Sequence, residues 1–479
     1  MSERLLRSPF LQVIASNGGY VAYHSLFGNL CRVNAGVVNL LERFREPKRP
    51  ADVVLGASAA AGVRKLREMW YLVPEGTDER ARVGRWLQRR SELVPQGYFI
   101  TEVELSVSDL CNYSCSYCFA DAADKLSDDR RRLSAGPKLM TLDLAVSTVE
   151  RLLALVRRNR HPRLFVKFVG REPLMNRDVM LAVMDRFGNG KDGVSIRYDV
   201  TTNCSLVTED LARHLKRHGA VVNASMDAPG AENDLTRRTK GGKGTFAEVD
   251  RGIGILRDHG IEMILNSVLT DSNFDSLSGA IVDYAAGRGI GTVSLIPVFG
   301  NDELALHRGR SIEAIADRLA GVFEHGRGKG VKVRGYWYNG VAKLLWARNR
   351  DYMDTIGDRH SCVASGNQIN VEPSGDVFPC RMSGARLGHI DDLDALLGSE
   401  VYRRYLMRAY VAACANCSIE GFCHGLCVGH LEGKYNDIYR VDEPYCELYR
   451  AMTRRVLAHL QGTGAAAGRR GDADEEGLA

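Results

Sequence analysis

No stretch of this chain stays apolar for the ~18 residues that a membrane span needs. The opening segment, MSERLLRSPF, lacks the apolar core of a secretory signal. Charge of one sign is also missing: a net +5 over 479 residues makes no case for nucleic-acid binding. These absences predict a cytoplasmic protein with neither a membrane nor a nucleic-acid partner. Structural disulfides are rare in that compartment, so twelve cysteines point to metal. The length exceeds one ordinary core and predicts roughly two to four domains.

Residues 1–97 contain a single cysteine, Cys31, which reads as a buried core residue. Phe10–Ile14 and Tyr20–Leu26 read as short strands around a turn at Asn17-Gly18-Gly19, with Tyr71–Val73 as a third. Val37–Phe44 and Ser58–Trp70 carry helical spacing. Glu79–Arg90, rich in arginine, reads as a linking helix with a solvated face.

From Phe99 the pattern changes. Phe99–Val107, Leu164–Val169, Val194–Val200, Val221–Ser225, Met263–Leu269 and Val293–Ile296 read as strands. Helical segments such as Thr141–Arg158, Glu209–His218 and Phe246–His259 separate them. This alternation predicts an α/β fold with a parallel sheet covered by helices. Functional groups are then expected at the C-terminal ends of the strands.

Directly after the first of these strands, Cys111, Cys115 and Cys118 form a C-x3-C-x2-C loop. One loop can wrap three thiolates around one cluster. A four-iron cube takes four ligands, so one iron would be left for something that is not protein. A zinc site or three inert buried thiols are the competing readings, although structural zinc usually shows paired units totalling four ligands.

The loop resembles that of the radical S-adenosylmethionine (SAM) enzymes, in which the open iron chelates SAM and an electron cleaves it to a 5′-deoxyadenosyl radical. The later motifs follow in the order this resemblance implies. The six units correspond to a partial (β/α)6 barrel. Gly170-Arg171-Glu172-Pro173 stands where the family has Gly-Gly-Glu-Pro, with Gly170 and Glu172 at the SAM amino group and Arg171 as a departure. Thr202-Asn203-Cys204 stands for Thr-Asn-Gly. Cys204 reads as a small buried residue, with hydrogen-atom donation as the other reading. Ser225 is implied at the ribose or carboxylate region of SAM, Arg237 (or Arg238) at its carboxylate, and Tyr117 at its adenine.

The C-terminal cysteines carry a second resemblance. Cys362 and Cys380 bracket a hairpin turn at Pro373–Asp376; Cys414, Cys417, Cys423 and Cys427 form C-x2-C-x5-C-x3-C; Cys446 follows. Seven cysteines would leave a disulfide set unpaired, and one zinc accounts for only four. Their order is similar to the SPASM domain, an auxiliary-cluster module. It implies that Cys414, Cys417, Cys423 and Cys446 hold an outer cluster and Cys362, Cys380 and Cys427 an inner one, one cysteine short. His424 and His430 lie among these cysteines and read as packing residues. The family's acidic residue after the second cysteine, a base in sulfatase-maturing relatives, is Arg381 here, which weakens an alcohol- or thiol-oxidising reading.

The resulting expectations are an N-terminal module (1–97) that weakly resembles winged-helix leader-peptide recognition domains or simply packs on the barrel, a radical SAM core (98–345), a SPASM domain (346–460) and a disordered tail (461–479). The cofactors implied are three [4Fe–4S] clusters and SAM. The implied partners are a precursor peptide and a reductant such as flavodoxin or ferredoxin. Crosslinking of a ribosomally made peptide is the function implied. A SPASM dehydrogenase and a non-catalytic iron–sulfur scaffold or electron carrier are the alternatives.

Overall fold

The computed structural model describes residues 3–53, 57–120, 136–348, 362–409, 411–423 and 425–459. The tail beyond residue 459 and His424 lie outside them. Among the described residues no helix is long and apolar enough to cross a membrane.

The N-terminal residues build two small sheets. Strand β1 (Leu5–Arg7) pairs antiparallel with β5 (Leu72–Pro74); β2 (Leu11–Ser16), β3 (Gly19–His24) and β4 (Gly28–Val33) form an antiparallel meander. The turn at Gly18-Gly19 is as expected, both glycines having positive φ. Strands β1 and β4 escaped sequence reading: β1 is very short, and β4 (GNLCRV) shows little apolar alternation. Leu5, Leu11, Leu41, Phe44, Leu66 and Tyr71 form a core of their own here.

The central sheet holds β6 (Glu102–Ser108), β7 (Arg163–Gly170), β9 (Val194–Thr202), β10 (Val221–Ser225), β11 (Met263–Leu269), β12 (Thr292–Pro297) and β13 (Lys332–Arg334), all parallel, with the short β8 (Gly190–Lys191) antiparallel on β9. The six expected strands are all present. Their inward residues, such as Val103, Val166, Val200, Val222, Leu265 and Val293, are buried. The covering helices start where their caps predict: Thr141 accepts from the Leu144 amide and Thr208 from the Leu211 amide.

The sheet does not stop at β6. Strand β14 (Gln368–Val371) pairs parallel with β6, and β15 (Asp376–Phe378) and β16 (Gly388–His389) follow antiparallel. The expected cysteine-bracketed hairpin therefore continues the central sheet.

The arginine-rich helix, Arg80–Leu93, does not simply present a solvated face. Arg90 is fully buried, its guanidinium 3.9 Å from the Phe99 ring centroid and donating to the Leu406 and Ser365 carbonyls. Arg80 pairs with buried Glu420. The N-terminal module thus docks on the cysteine-rich segment, where the Gly421 amide also donates to the Ser25 carbonyl.

Candidate active site and cysteine sets

The C-terminal ends of β6, β7, β9 and β10 converge on one group of polar side chains. The cysteine loop leaves β6 and is clamped by backbone bonds from the Ser114 amide to the Arg238 carbonyl and from the Ser116 amide to the Thr236 carbonyl. Asn112 ties the loop to β9, accepting from Asn203 Nδ2 and donating to Ser205 Oγ. Burial pushes the Cys115 thiol up to about 11.

Glu172 is 1% exposed. It accepts from Thr202 Oγ1 (2.7 Å), the Asn203 amide (2.8 Å) and the Leu174 amide (3.1 Å). Burial raises its pKa to about 7 despite these donors. Gly170 has φ +129°, and a Cβ there would stand 2.2 Å from the Ser108 carbonyl oxygen. Position 171 is not among the non-glycine residues with positive φ. The Arg171 side chain turns away to pair with Asp109 (2.9 Å), so arginine fits without strain. Cys204, by contrast, does have a left-handed φ of 62°, which accounts for a glycine in that place elsewhere. Its thiol is fully buried.

Sequence reading passed over Asp227. Buried just beyond β10, its carboxylate accepts from Tyr117 Oη (2.7 Å), Thr236 Oγ1 (2.6 Å) and the Val268 amide (3.0 Å), and pairs with Arg237 Nε at 3.1 Å. Arg237 also lies 5.4 Å from the Tyr117 ring centroid. Burial opposes its charge, but Asp227 prevails and keeps it cationic. Tyr117, Arg237 and the cysteine loop are therefore held together, with Ser225 ending β10 opposite Asn266 of β11.

The seven C-terminal cysteines fall into two groups. The Cys362 and Cys427 thiols hydrogen-bond, which holds Cys362 below the usual thiol range, and Cys380 acts on Cys427. Cys414, Cys417, Cys423 and Cys446 act on one another. All twelve cysteines are free thiols. These grouped, soft donors fit iron–sulfur clusters. Cys31 and Cys204 stand outside both groups; Cys31 meets the Tyr71 hydroxyl.

Two residues near these groups, Tyr336 and Arg408, carried no sequence signal, and a third, Arg381, was read only as a departure from the family pattern. Tyr336 is near enough to Cys362, Cys380 and Cys427 to feel their charge. Arg408 is fully buried, donates to the carbonyls of Gly425, Leu426 and Ile438, and acts on Cys362, Cys414, Cys423 and Cys427. Arg381, beside Cys380, donates to the Gly170 carbonyl (2.9 Å) and lies 4.9 Å from the Phe119 ring centroid. His430 packs against Phe299 and Tyr445 and pairs with Asp442.

Comparison with known proteins agrees with this geometry. The Radical SAM superfamily profile matches residues 105–277, and the iron-sulfur cluster-binding SPASM profile matches 362–418. The radical SAM cyclopropyl synthase TigE of Paramaledivibacter caminithermalis is 28% identical over 95% of this chain and 96% of its own. The serine-type anaerobic sulfatase-maturating enzyme of Klebsiella aerogenes is 25% identical over 69% of this chain and 80% of its own. Among solved structures, the fold is similar to that of anSMEcpe with bound AdoMet (TM-score 0.57, 19% identity, 74% of this chain and 98% of that one). It is also similar to that of Streptococcus suis SuiB bound to precursor peptide SuiA (TM-score 0.52, 14% identity, 92% of this chain and 99% of that one).

Proposed function

Since the chain is a radical SAM enzyme with a SPASM domain, related to peptide-modifying maturases, we propose that it forms a carbon–carbon or thioether bond within a ribosomally made peptide. SAM and [4Fe–4S] chemistry come with this membership; bound together they supply a hydrogen-abstracting 5′-deoxyadenosyl radical. The observation that carries the reading is the joining of two cofactor regions by one side chain, Arg381, which reaches from the second SPASM cysteine to Gly170.

In this reading Cys111, Cys115 and Cys118 hold the catalytic cluster, in a partial (β/α)6 barrel formed by β6, β7, β9, β10, β11 and β12. Glu172 and the Gly170 backbone receive the SAM amino group, Arg237 its carboxylate and Tyr117 its adenine, while Ser225 borders the ribose. Cys414, Cys417, Cys423 and Cys446 hold an outer auxiliary cluster, and Cys362, Cys380 and Cys427 an inner one, for three clusters in all. Held there, the auxiliary clusters would supply an acceptor for the electron left on the substrate, and a flavodoxin- or ferredoxin-type reductant in the cytoplasm would supply the first electron. Residues 1–97, 98–345 and 346–460 act as peptide-recognition, radical and auxiliary units.

The likeness to a cyclopropyl synthase over nearly its whole length and to a peptide-bound enzyme, both extending over the N-terminal residues, favours carbon–carbon or thioether bond formation within a peptide over alcohol or thiol oxidation. So does Arg381 in place of an acid. The test is anaerobic reconstitution with a strong reductant and SAM, with 5′-deoxyadenosine and the mass of a precursor peptide encoded nearby as readouts. Deoxyadenosine that disappears when Cys111, Cys115 and Cys118 become alanine, with a peptide mass change, supports the reading. Reductive cleavage without change in any neighbouring peptide defeats its substrate half.

A further inference from the structure

Asp185, His214 and His218 lie together on the outside of the central sheet, away from the strand ends that carry the cysteine loop. His214 is on the helix Glu209–Arg217, His218 caps its C-terminus, and Asp185 is in the last turn of the helix Arg177–Phe187. Residues four apart on a helix share one face, so both imidazoles address the same neighbour. Both Nε2 atoms stand 3.1 Å from one oxygen, Asp185 Oδ1, and one donor atom from each of the three side chains lies within 4.8 Å of the others.

We propose that these three side chains form a binding site for a borderline divalent cation, zinc being the natural occupant of a two-imidazole, one-carboxylate donor set. Three observations converge on it. His218 Nε2 makes a hydrogen bond to the carboxylate. His214 Nε2, at the same distance, is buried and makes none of acceptable geometry. Its ring bonds the backbone of Leu181 instead, which leaves Nε2 facing the shared space. A metal-bound histidine is commonly oriented in this way, by a carbonyl on its other nitrogen.

The two helices supply the second argument. Both end here, so the negative ends of both backbone dipoles face the site, where cations are favoured and a carboxylate is not. Asp185 nevertheless sits there, half-exposed, with Arg217 Nη1 at 3.9 Å as its only other charged partner among the described residues. A cation would join the helices that follow β7 and β9, the two strands whose far ends carry Glu172 and Asn203.

The experiment uses untagged, cluster-loaded protein, so that the cysteines are occupied by iron. Zinc is added, excess is removed by dialysis, and zinc and iron are measured in the unchanged protein and in a His214→Ala/His218→Ala variant. The expected result is about one zinc per chain more in the unchanged protein at equal iron, with a zinc-dependent rise in unfolding temperature that the variant lacks. Equal zinc in both proteins overturns the proposal. If the double variant loses iron, Asp185→Asn decides. At least ~tenfold weaker zinc binding is expected there, and unchanged affinity overturns the site.

Discussion

Arg381 donates a hydrogen bond from Nη1 to the Gly170 carbonyl at 2.9 Å, across 211 positions of sequence. One end of this contact adjoins Cys380 and the other opens the Gly-Arg-Glu-Pro turn. Replacing Arg381 with alanine removes a charged donor, a change commonly worth about 1.5–3 kcal/mol. Deoxyadenosine formation is expected to continue, while peptide modification falls roughly ten- to a hundredfold. Parallel loss of both activities would show that Arg381 serves only SAM cleavage.

Positions 170 and 171 respond unequally to side-chain change. Gly170→Ala must move the Ser108 carbonyl or abandon φ +129° and is expected to cost about 3 kcal/mol or more. Arg171→Gly loses the part-exposed ion pair with Asp109, itself worth about 1 kcal/mol at most. Chemical denaturation of both variants checks the contrast.

Glu172 links SAM binding to protons. Its pKa of about 7 lies above the ordinary carboxyl value of 4.5, so the folded protein binds more protons between these values than the unfolded chain. Its contribution to stability is therefore largest at low pH and declines as pH rises towards 7. An ammonium beside it would pull the pKa down. SAM binding near pH 6 is thus expected to release protons, measurable by calorimetry in buffers of different ionisation heat. Glu172→Gln should abolish the release.

Arg408 places a buried positive charge between the two C-terminal cysteine groups. A unit charge felt over about 8 Å at an effective dielectric of about 20 is worth about 2 kcal/mol, or roughly 90 mV for one electron. Arg408→Gln removes the charge and keeps donors for the neighbouring carbonyls. The auxiliary clusters are expected to become harder to reduce by some 50–100 mV in a spectroscopic redox titration. Unchanged potentials would leave Arg408 a purely structural role.

Cys204 occupies a left-handed backbone position at φ 62°, which costs about 1–2 kcal/mol for a residue with a Cβ. Its buried thiol makes a long contact to the Thr202 carbonyl. Cys204→Gly is expected to retain stability within about 1 kcal/mol and full deoxyadenosine formation. A selective loss of peptide product would instead identify the thiol as a hydrogen-atom donor.

Strand positions were legible because β-branched and aliphatic residues fill the central strands: β10 and β11 begin and end where the pattern predicts. The cysteine groups were legible because ligand spacing is local. What escaped sequence reading depends on distant pairing. Asp227 is recognisable only once Tyr117 and Arg237 arrive beside it from either side in the chain. Arg90 and Arg408 look like surface arginines until their carbonyl partners, hundreds of residues away or across a loop, enclose them. Strand β14 reads as half of a hairpin, and nothing local reveals that its other edge belongs to β6.

That β6–β14 pairing sets a clock on biosynthesis. Asn370, on the late strand, follows its partner Ser106 by 264 residues. At roughly 5–20 residues per second the ribosome takes about 13–50 s to deliver it. Throughout that interval one edge of β6, the strand leading into the first cysteine loop, has no partner. A nascent chain stalled before β14 would offer that bare edge to its neighbours, so slow translation or early termination should send this protein into inclusion bodies before any iron is inserted.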